Sequence, residues 1–258
     1  MIEDKKVTKI IGTLNEIKSE NKIKIIFASE LGSRAWRMES ADSDYDVRFV
    51  YKRPFKEYLK LNKPVDVIHF EQDNEDYVGF DIYKFMGLLN ASNPSAIEWA
   101  ISDIHYLNKP PKEMNKIINN YYNPLALFHH YKSMAKQNYL NYLKSRAIVS
   151  YKKYLYSMRG LLNSVYVKEY NKIPPIQFPE TLEKLKNDKK IPVFIFEKLN
   201  EIIRIKKLGG EKEIIENIVK IDNYIEEKLK EKEEPSPIKK HSLMNEINIY
   251  LLKEILDK

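Results

Sequence analysis

The sequence predicts an α+β protein, with an N-terminal α/β domain over residues 1–110 and a helical C-terminal domain over residues 111–258. Three observations carry this. Short β-branched runs crowd the first hundred residues, Pro110-Pro111 interrupts the chain, and beyond it apolar residues recur at helical spacing while strand signals become scarce. The 258 residues, 43% of them hydrophobic, suffice for one large or two small cores, which excludes a disordered chain. No apolar run is long enough to cross a bilayer, and Met1-Ile2-Glu3-Asp4-Lys5-Lys6 lacks the apolar stretch of a signal peptide. Cysteine is absent, so disulfides, thiolate metal sites and cysteine nucleophiles are excluded. A cytoplasmic protein without a membrane partner is expected.

Taken in order, residues 4–20 place Val7, Ile10, Ile11, Leu14 and Ile17 at helical spacing. Ile23 to Ala28 is a first strand, broken at Gly32-Ser33. Tyr45 to Tyr51 is a second, ended by Pro54. Val65 to Phe70 is a third, Gln72 to Glu75 a polar turn, and Tyr77 to Tyr83 a fourth strand. A helix begins at Lys84 and is punctuated by Ser92-Asn93-Pro94. Helices follow over 112–121, 124–146, 148–170, 179–187, 192–207, 211–230 and 242–257. Residues 231–240 form a charged, proline-containing linker. In the terminal helix Leu243, Ile247, Tyr250, Leu251 and Ile255 make an apolar stripe that should dock on something.

The net charge of +7 suggests a polyanionic partner, and its distribution is more telling than the total. Between Tyr131 and Tyr170 lie eight basic residues (Lys132, Lys136, Lys144, Arg146, Lys152, Lys153, Arg159 and Lys168), one acid, Glu169, and eight tyrosines. Lys152, Tyr156 and Arg159 share a helix face, offering cations for a triphosphate and a flat ring for a base. Lys153 is one step round and is an alternative to Lys152. The plainer reading of the same face is a solvated basic stripe over a packed tyrosine. Trp36 and Trp99 read as core, and His129-His130 as packing or hydrogen-bonding residues.

The chemistry is carried by Leu31-Gly32-Ser33, followed after ten residues by Asp44-Tyr45-Asp46-Val47. In an extended segment Asp44 and Asp46 project from one face. Two such carboxylates call for a cation, and Mg²⁺ or Mn²⁺ suits oxygen donors that share an ion with substrate phosphates. Gly32 lets a phosphate approach the backbone, and the Ser33 hydroxyl can bind it.

These residues resemble the DNA polymerase beta superfamily of nucleotidyltransferases. Gly32-Ser33-Arg34-Ala35-Trp36 and Ser43-Asp44-Tyr45-Asp46-Val47-Arg48-Phe49 narrow the likeness. With Ser92-Asn93-Pro94, Glu98-Trp99, His130-Tyr131 and the run Lys152 to Arg159, the chain up to about residue 230 is similar to the RNA-repair-associated polymerase-beta-like subfamily. Arg37 departs from it, since glycine is expected there.

The resemblance implies a catalytic domain with a mixed sheet, followed by an all-helical domain that binds nucleotide and substrate. It implies Asp44 and Asp46 as catalytic metal ligands, with a third acid on a later strand beside theirs. Asp66, Asp76 and Asp81 are the candidates. Asp81, where a strand runs into a helix, is the expected one; its alternative role is to cap that helix. Gly32, Ser33, Arg34, Lys152, Lys153, Tyr156 and Arg159 are the expected nucleotide contacts. The reaction implied is transfer of a nucleoside monophosphate from an NTP to a hydroxyl with release of pyrophosphate, the expected acceptor being the 3′ end of a tRNA or of RNA under repair. A protein or small-molecule hydroxyl is the alternative acceptor, and a non-catalytic RNA-binding module the alternative class.

Overall fold

The computed structural model describes residues 2–210, 213–235 and 243–256. The chain opens with α1 (Ile2–Glu20), β1 (Lys24–Leu31), the short α2 (Gly32–Ala35), β2 (Tyr45–Lys52) and α3 (Phe55–Tyr58). It continues through β3 (Val67–Gln72), β4 (Glu75–Asp81), α4 (Ile82–Asn90), α5 (Pro94–Ile101), β5 (His105–Leu107) and α6 (Lys112–Tyr121). Then come α7 (Pro124–Tyr142), β6 (Val149–Ser150), α8 (Tyr151–Tyr170), α9 (Phe178–Asn187) and α10 (Val193–Lys207), followed by β7 (Ile214–Ile215), α11 (Val219–Lys230) and α12 (Leu243–Ile255). The fold is α+β, with a mixed five-stranded sheet. No helix among the described residues is long and apolar enough to cross a membrane.

Two compact units emerge. One comprises Met1–Ala35, Asp44–Tyr122 and Lys240–Lys258; the other comprises Trp36–Ser43 and Asn123–Lys239. The division after Tyr122, and the return of the last helix to the first unit, differ from a single cut at residue 110. The physical reason is packing: α12 lies on α4 and α6, burying Ile247, Tyr250, Leu251 and Ile255 of the expected stripe. The Leu243 side chain lies outside the described residues, as do 236–240 of the expected linker. Buried Lys52 donates to the Glu254 carbonyl, tying β2 to α12.

In the first unit the sheet runs β3-β4-β2-β1-β5, with β2 and β4 parallel and the other pairs antiparallel. Strand alternation sends Val47, Phe49, Tyr51 and Tyr77 to one face, where Ile10, Leu14 and Ile17 of α1 cover them. Gly79 is required on that face, because a Cβ there would lie 2.2 Å from the Phe49 ring. On the other face Phe80 stacks on Trp99 of α5 at 4.3 Å, and Phe27 meets Phe85 of α4 edge-on at 5.7 Å. Asp46 and Arg48 of β2 and Asp76 of β4 project on this second face, by the same alternation. The three-residue β5 escaped the sequence reading because it is too short to show a period.

In the second unit α7 and α8 cross at Gly160, where a Cβ would lie 3.1 Å from the Ala135 amide nitrogen. Asn123 caps α7 by accepting from the Leu125 and Ala126 amides. The helix expected over 211–230 begins only at Val219, and the one expected from 148 begins at Tyr151. The intervening residues pair instead as strands, Val149 with Ile215 and Ser150 with Ile214, as the β-branched side chains of Val149, Ile214 and Ile215 favour. Residues 211–212 lie outside the described residues.

Candidate active site

The site begins where β1 ends. Gly32 follows Leu31 with φ +63°, a left-handed conformation that glycine adopts without strain. A side chain there would also collide with Asp46, since a Cβ would lie 1.8 Å from a carboxylate oxygen. Gly32 therefore lets the Ser33 turn and the Asp46 carboxylate occupy one place. Ser33 is buried beside it. Arg34 lies over the Tyr45 ring, 3.8 Å from its centre, and its Nε donates to the Asp44 carbonyl at 3.3 Å. That contact ties the Gly32-Ser33 turn to the start of β2. Both Tyr45 neighbours are acidic: Asp44 is exposed just ahead of the strand, and Asp46 is its second residue.

Register brings a further carboxylate to Asp46. Asp46 faces Asp76 across the parallel β2–β4 pair. Side chains so paired lie on one face of adjacent strands about 4.8 Å apart. Arg48 Nη2 reaches Asp46 Oδ1 at 2.8 Å and Asp76 Oδ2 at 2.7 Å, while Nη1 donates to the Asp76 carbonyl at 2.7 Å. On its far side Asp76 Oδ1 lies 2.9 Å from His69 Nε2, and the same nitrogen is 3.2 Å from a Glu71 oxygen. Asp44, Asp46, Glu71, Asp73, Glu75 and Asp76 line an open pocket of about 500 Å³. Glu75 is spoken for: it is buried, ion-paired with Lys6 and Lys9 of α1, and accepts from the Tyr77 hydroxyl.

Asp81 is not brought to this place. It ends β4 opposite Tyr51, five residues beyond Asp76, and so lies at the other end and on the other face of the sheet. It is buried, caps α4 by accepting from the Tyr83 amide at 2.9 Å, and accepts from the Tyr58 hydroxyl at 2.9 Å. Burial holds its carboxyl above the ordinary aspartate range. Asp66 lies near it, its carbonyl accepting from the Asp81 amide and its carboxylate 3.2 Å from Lys84.

Beneath the pocket sits a carboxyl that the sequence reading passed over. Glu30 of β1 is fully buried; it accepts from the Asp46 amide at 3.0 Å and from the Tyr106 hydroxyl. Burial pushes it up to about 7, the two hydrogen bonds acting in the opposite direction. The available signal was a lone acid inside the apolar run Ile25 to Leu31. Arg48 and His69 carried no comparable signal, because each matters through a partner on another strand.

In the second unit, Tyr156 and Arg159 of α8 meet Trp36, and Lys152 lies near Tyr156. The Tyr156 ring meets Trp36 edge-on at 5.7 Å, the Arg159 guanidinium lies over the indole at 3.7 Å, and Lys152 Nζ is 6.0 Å from the Tyr156 ring. Arg159 and Trp36 are buried and Tyr156 is half-buried. Lys153 turns away, lying 3.7 Å from the Tyr142 ring of α7. Arg37 has φ +59°, which is the physical reason a glycine suits that position.

A protein of Bacillus subtilis (strain 168), Uncharacterized protein YcgL, is 30% identical over 253 residues, covering 96% of this chain and 95% of its own. No solved structure matches. The sequence profile of the RNA repair pathway DNA polymerase beta family matches residues 7–253. The chain belongs to the RNA repair pathway DNA polymerase beta family.

Proposed function

We propose that this protein is a metal-dependent nucleotidyltransferase that moves a nucleoside monophosphate from an NTP to an RNA 3′ hydroxyl and releases pyrophosphate. The observation that carries the reading is the register match of Asp46 with Asp76, beside Asp44 and the Gly32-Ser33 turn. Family membership supports the polymerase-beta-like class and the link to RNA repair.

The donor set fits a hard divalent cation, because it consists of carboxylate oxygens at an open acidic pocket. Asp44, Asp46 and Asp76 are the residues that would hold Mg²⁺ or Mn²⁺. When bound, such ions make the acceptor hydroxyl easier to deprotonate and offset charge on the leaving pyrophosphate. In this reading Asp76 takes the third role in place of Asp81. It orients the acceptor hydroxyl and accepts its proton at a carboxylate oxygen. Ser33 donates its hydroxyl to a phosphate oxygen, and Gly32 leaves room for that approach. Arg34 steadies the turn through Tyr45 and the Asp44 carbonyl. In the helical unit, Lys152 supplies charge for a triphosphate and Tyr156 an aromatic surface, while buried Arg159 holds the Trp36 ring beside them.

The deciding experiment incubates the full chain with each labelled NTP, Mg²⁺ or Mn²⁺, and RNA ending in a 3′ hydroxyl or a blocked 3′ end. Label should join the hydroxyl-ended RNA alone, with pyrophosphate released. Label on protein moves the acceptor to a protein hydroxyl, and RNA binding without transfer sinks the enzyme reading. Lys152→Ala should raise the KM for NTP about tenfold or more, as loss of a charge-assisted phosphate contact does, with saturating NTP restoring part of the rate. An unchanged KM removes the α8 face from the nucleotide site.

A further inference from the structure

The geometry points to Arg48 as a resident counter-ion of the Asp46–Asp76 pair, a positioning residue that a divalent cation has to displace from those carboxylates. This rests on the metal-site reading above. Two carboxylates matched in register on adjacent strands repel one another unless a cation lies between them. Arg48 provides it, with one guanidinium nitrogen within 2.8 Å of both. The other terminal nitrogen is fixed by the carbonyls of Asp76 at 2.7 Å and Val47 at 3.2 Å. The arginine side chain is only 13% exposed, so water and salt screen this pairing weakly.

The arrangement engages one oxygen of each carboxylate. The other oxygen of Asp46 lies against Gly32, and the other oxygen of Asp76 faces His69. An incoming divalent cation therefore competes with the guanidinium for the same oxygens and is repelled by its charge. Removing Arg48 has two opposed effects: it takes away a competitor, and it takes away a brace. The brace has support elsewhere. The Asp46 amide is held by Glu30, and Asp76 sits within the hydrogen-bonded ladder between β2 and β3, beside His69. The carboxylates thus keep their places, and the charge effect decides the sign.

The test is Mn²⁺ binding by the full chain, followed by loss of the free-ion electron paramagnetic resonance signal, in wild type, Arg48→Gln and Arg48→Lys. Arg48→Gln should bind Mn²⁺ about tenfold more tightly than wild type, the scale of one unit charge removed a few ångströms from a divalent ion in high dielectric. Arg48→Lys should fall between the two, since an ammonium cannot brace both carboxylates as the planar fork does. In EDTA, Arg48→Gln should melt below wild type, and Mn²⁺ should raise its melting temperature by more than it raises that of wild type. A merely structural arginine would lower both melting temperatures alike and leave Mn²⁺ affinity equal or weaker. Equal or weaker binding by Arg48→Gln overturns the proposal while the metal site stands. Absence of Mn²⁺ binding by wild type overturns the metal-site reading and this proposal with it. If Arg48→Gln does not fold, Arg48→Lys decides, and an affinity no tighter than wild type overturns the proposal.

Discussion

At the scale of single residues, two aspartates on one strand carry opposite expectations. Asp76→Asn should abolish transfer, because Asp76 is the register partner of Asp46. Asp81→Asn should leave transfer near wild type, because the asparagine oxygen still caps α4 while its amide nitrogen donates to the Tyr58 hydroxyl in place of accepting from it. Steady-state transfer assays on both variants check this, and the opposite outcome would return the third role to Asp81. Glu30 gives a pH signature. Its carboxyl, near 4.5 in the unfolded chain, is pushed up to about 7 by burial in the native state. The native state thus holds this proton more firmly. The stability it contributes is fully present below pH 4.5 and is lost as pH rises to about 7. Glu30→Gln keeps an acceptor for the Asp46 amide and never ionises. Its stability relative to wild type should therefore rise between pH 5 and pH 8, by up to about 3 kcal/mol. Urea unfolding in EDTA at both pH values measures it; a difference indifferent to pH would mean that Glu30 titrates as an ordinary glutamate. Much of this site was legible in the chain. Gly32, Ser33, Asp44 and Asp46 are local in sequence, and Asp44, although it precedes β2, lines the same pocket as Asp46. That Asp76, and neither Asp66 nor Asp81, lies opposite Asp46 depends on the pairing of β2 with β4, which alternation along one strand does not contain.

At the scale of elements, helical periodicity served well where a helix packs one face on a core. Helix α6 and the body of α7, α8, α9 and α10 stand close to their expected places. It failed where a β-branched pair joined two helices: Ile214–Ile215 fits a helical stripe as readily as a strand until Val149 and Ser150 are seen opposite. The docking of α12 was legible as an apolar stripe, but its receiving surface on α4 and α6 was not, because the two segments lie far apart in the chain. Helix contact also makes a prediction. Gly160 lets α8 approach α7 so closely that a Cβ would lie 3.1 Å from the Ala135 amide nitrogen and 3.2 Å from the Tyr131 carbonyl oxygen. Both are backbone atoms and yield only if the helices separate. Gly160→Val should destabilise the helical unit by about 1–3 kcal/mol, as overpacking does. Denaturant midpoints followed by circular dichroism give the value, and an unchanged midpoint would show that the crossing has slack.

At the scale of the whole molecule, the net charge of +7 becomes informative only after each cation is assigned its partners. The eight basic residues between Tyr131 and Tyr170 looked equivalent in the sequence, but they are not. Lys168 is ringed by Glu169, Glu231 and Glu233, Lys132 donates to the Glu231 carbonyl, and Arg159 is buried over Trp36. Lys144 lies 3.6 Å from Glu226. Lys136, Arg146 and Lys153 are the cations best placed for a polyanion. If those three engage phosphates of a single strand, log K against log salt should fall with a slope of about −2, at about −0.7 per contact. The double variant Lys136→Ala/Arg146→Ala should bring that slope to about −0.7, because each lost contact releases fewer counterions. Lys168→Ala should leave the slope unchanged, because its charge is already compensated by acids of its own unit. Binding of a short unstructured RNA, titrated from 50 to 300 mM salt by fluorescence anisotropy, measures all three. A wild-type slope near zero would detach the basic helices from RNA and favour a protein hydroxyl as acceptor. A slope that falls with Lys168→Ala would instead show that the ion pairs around Lys168 open to admit the strand.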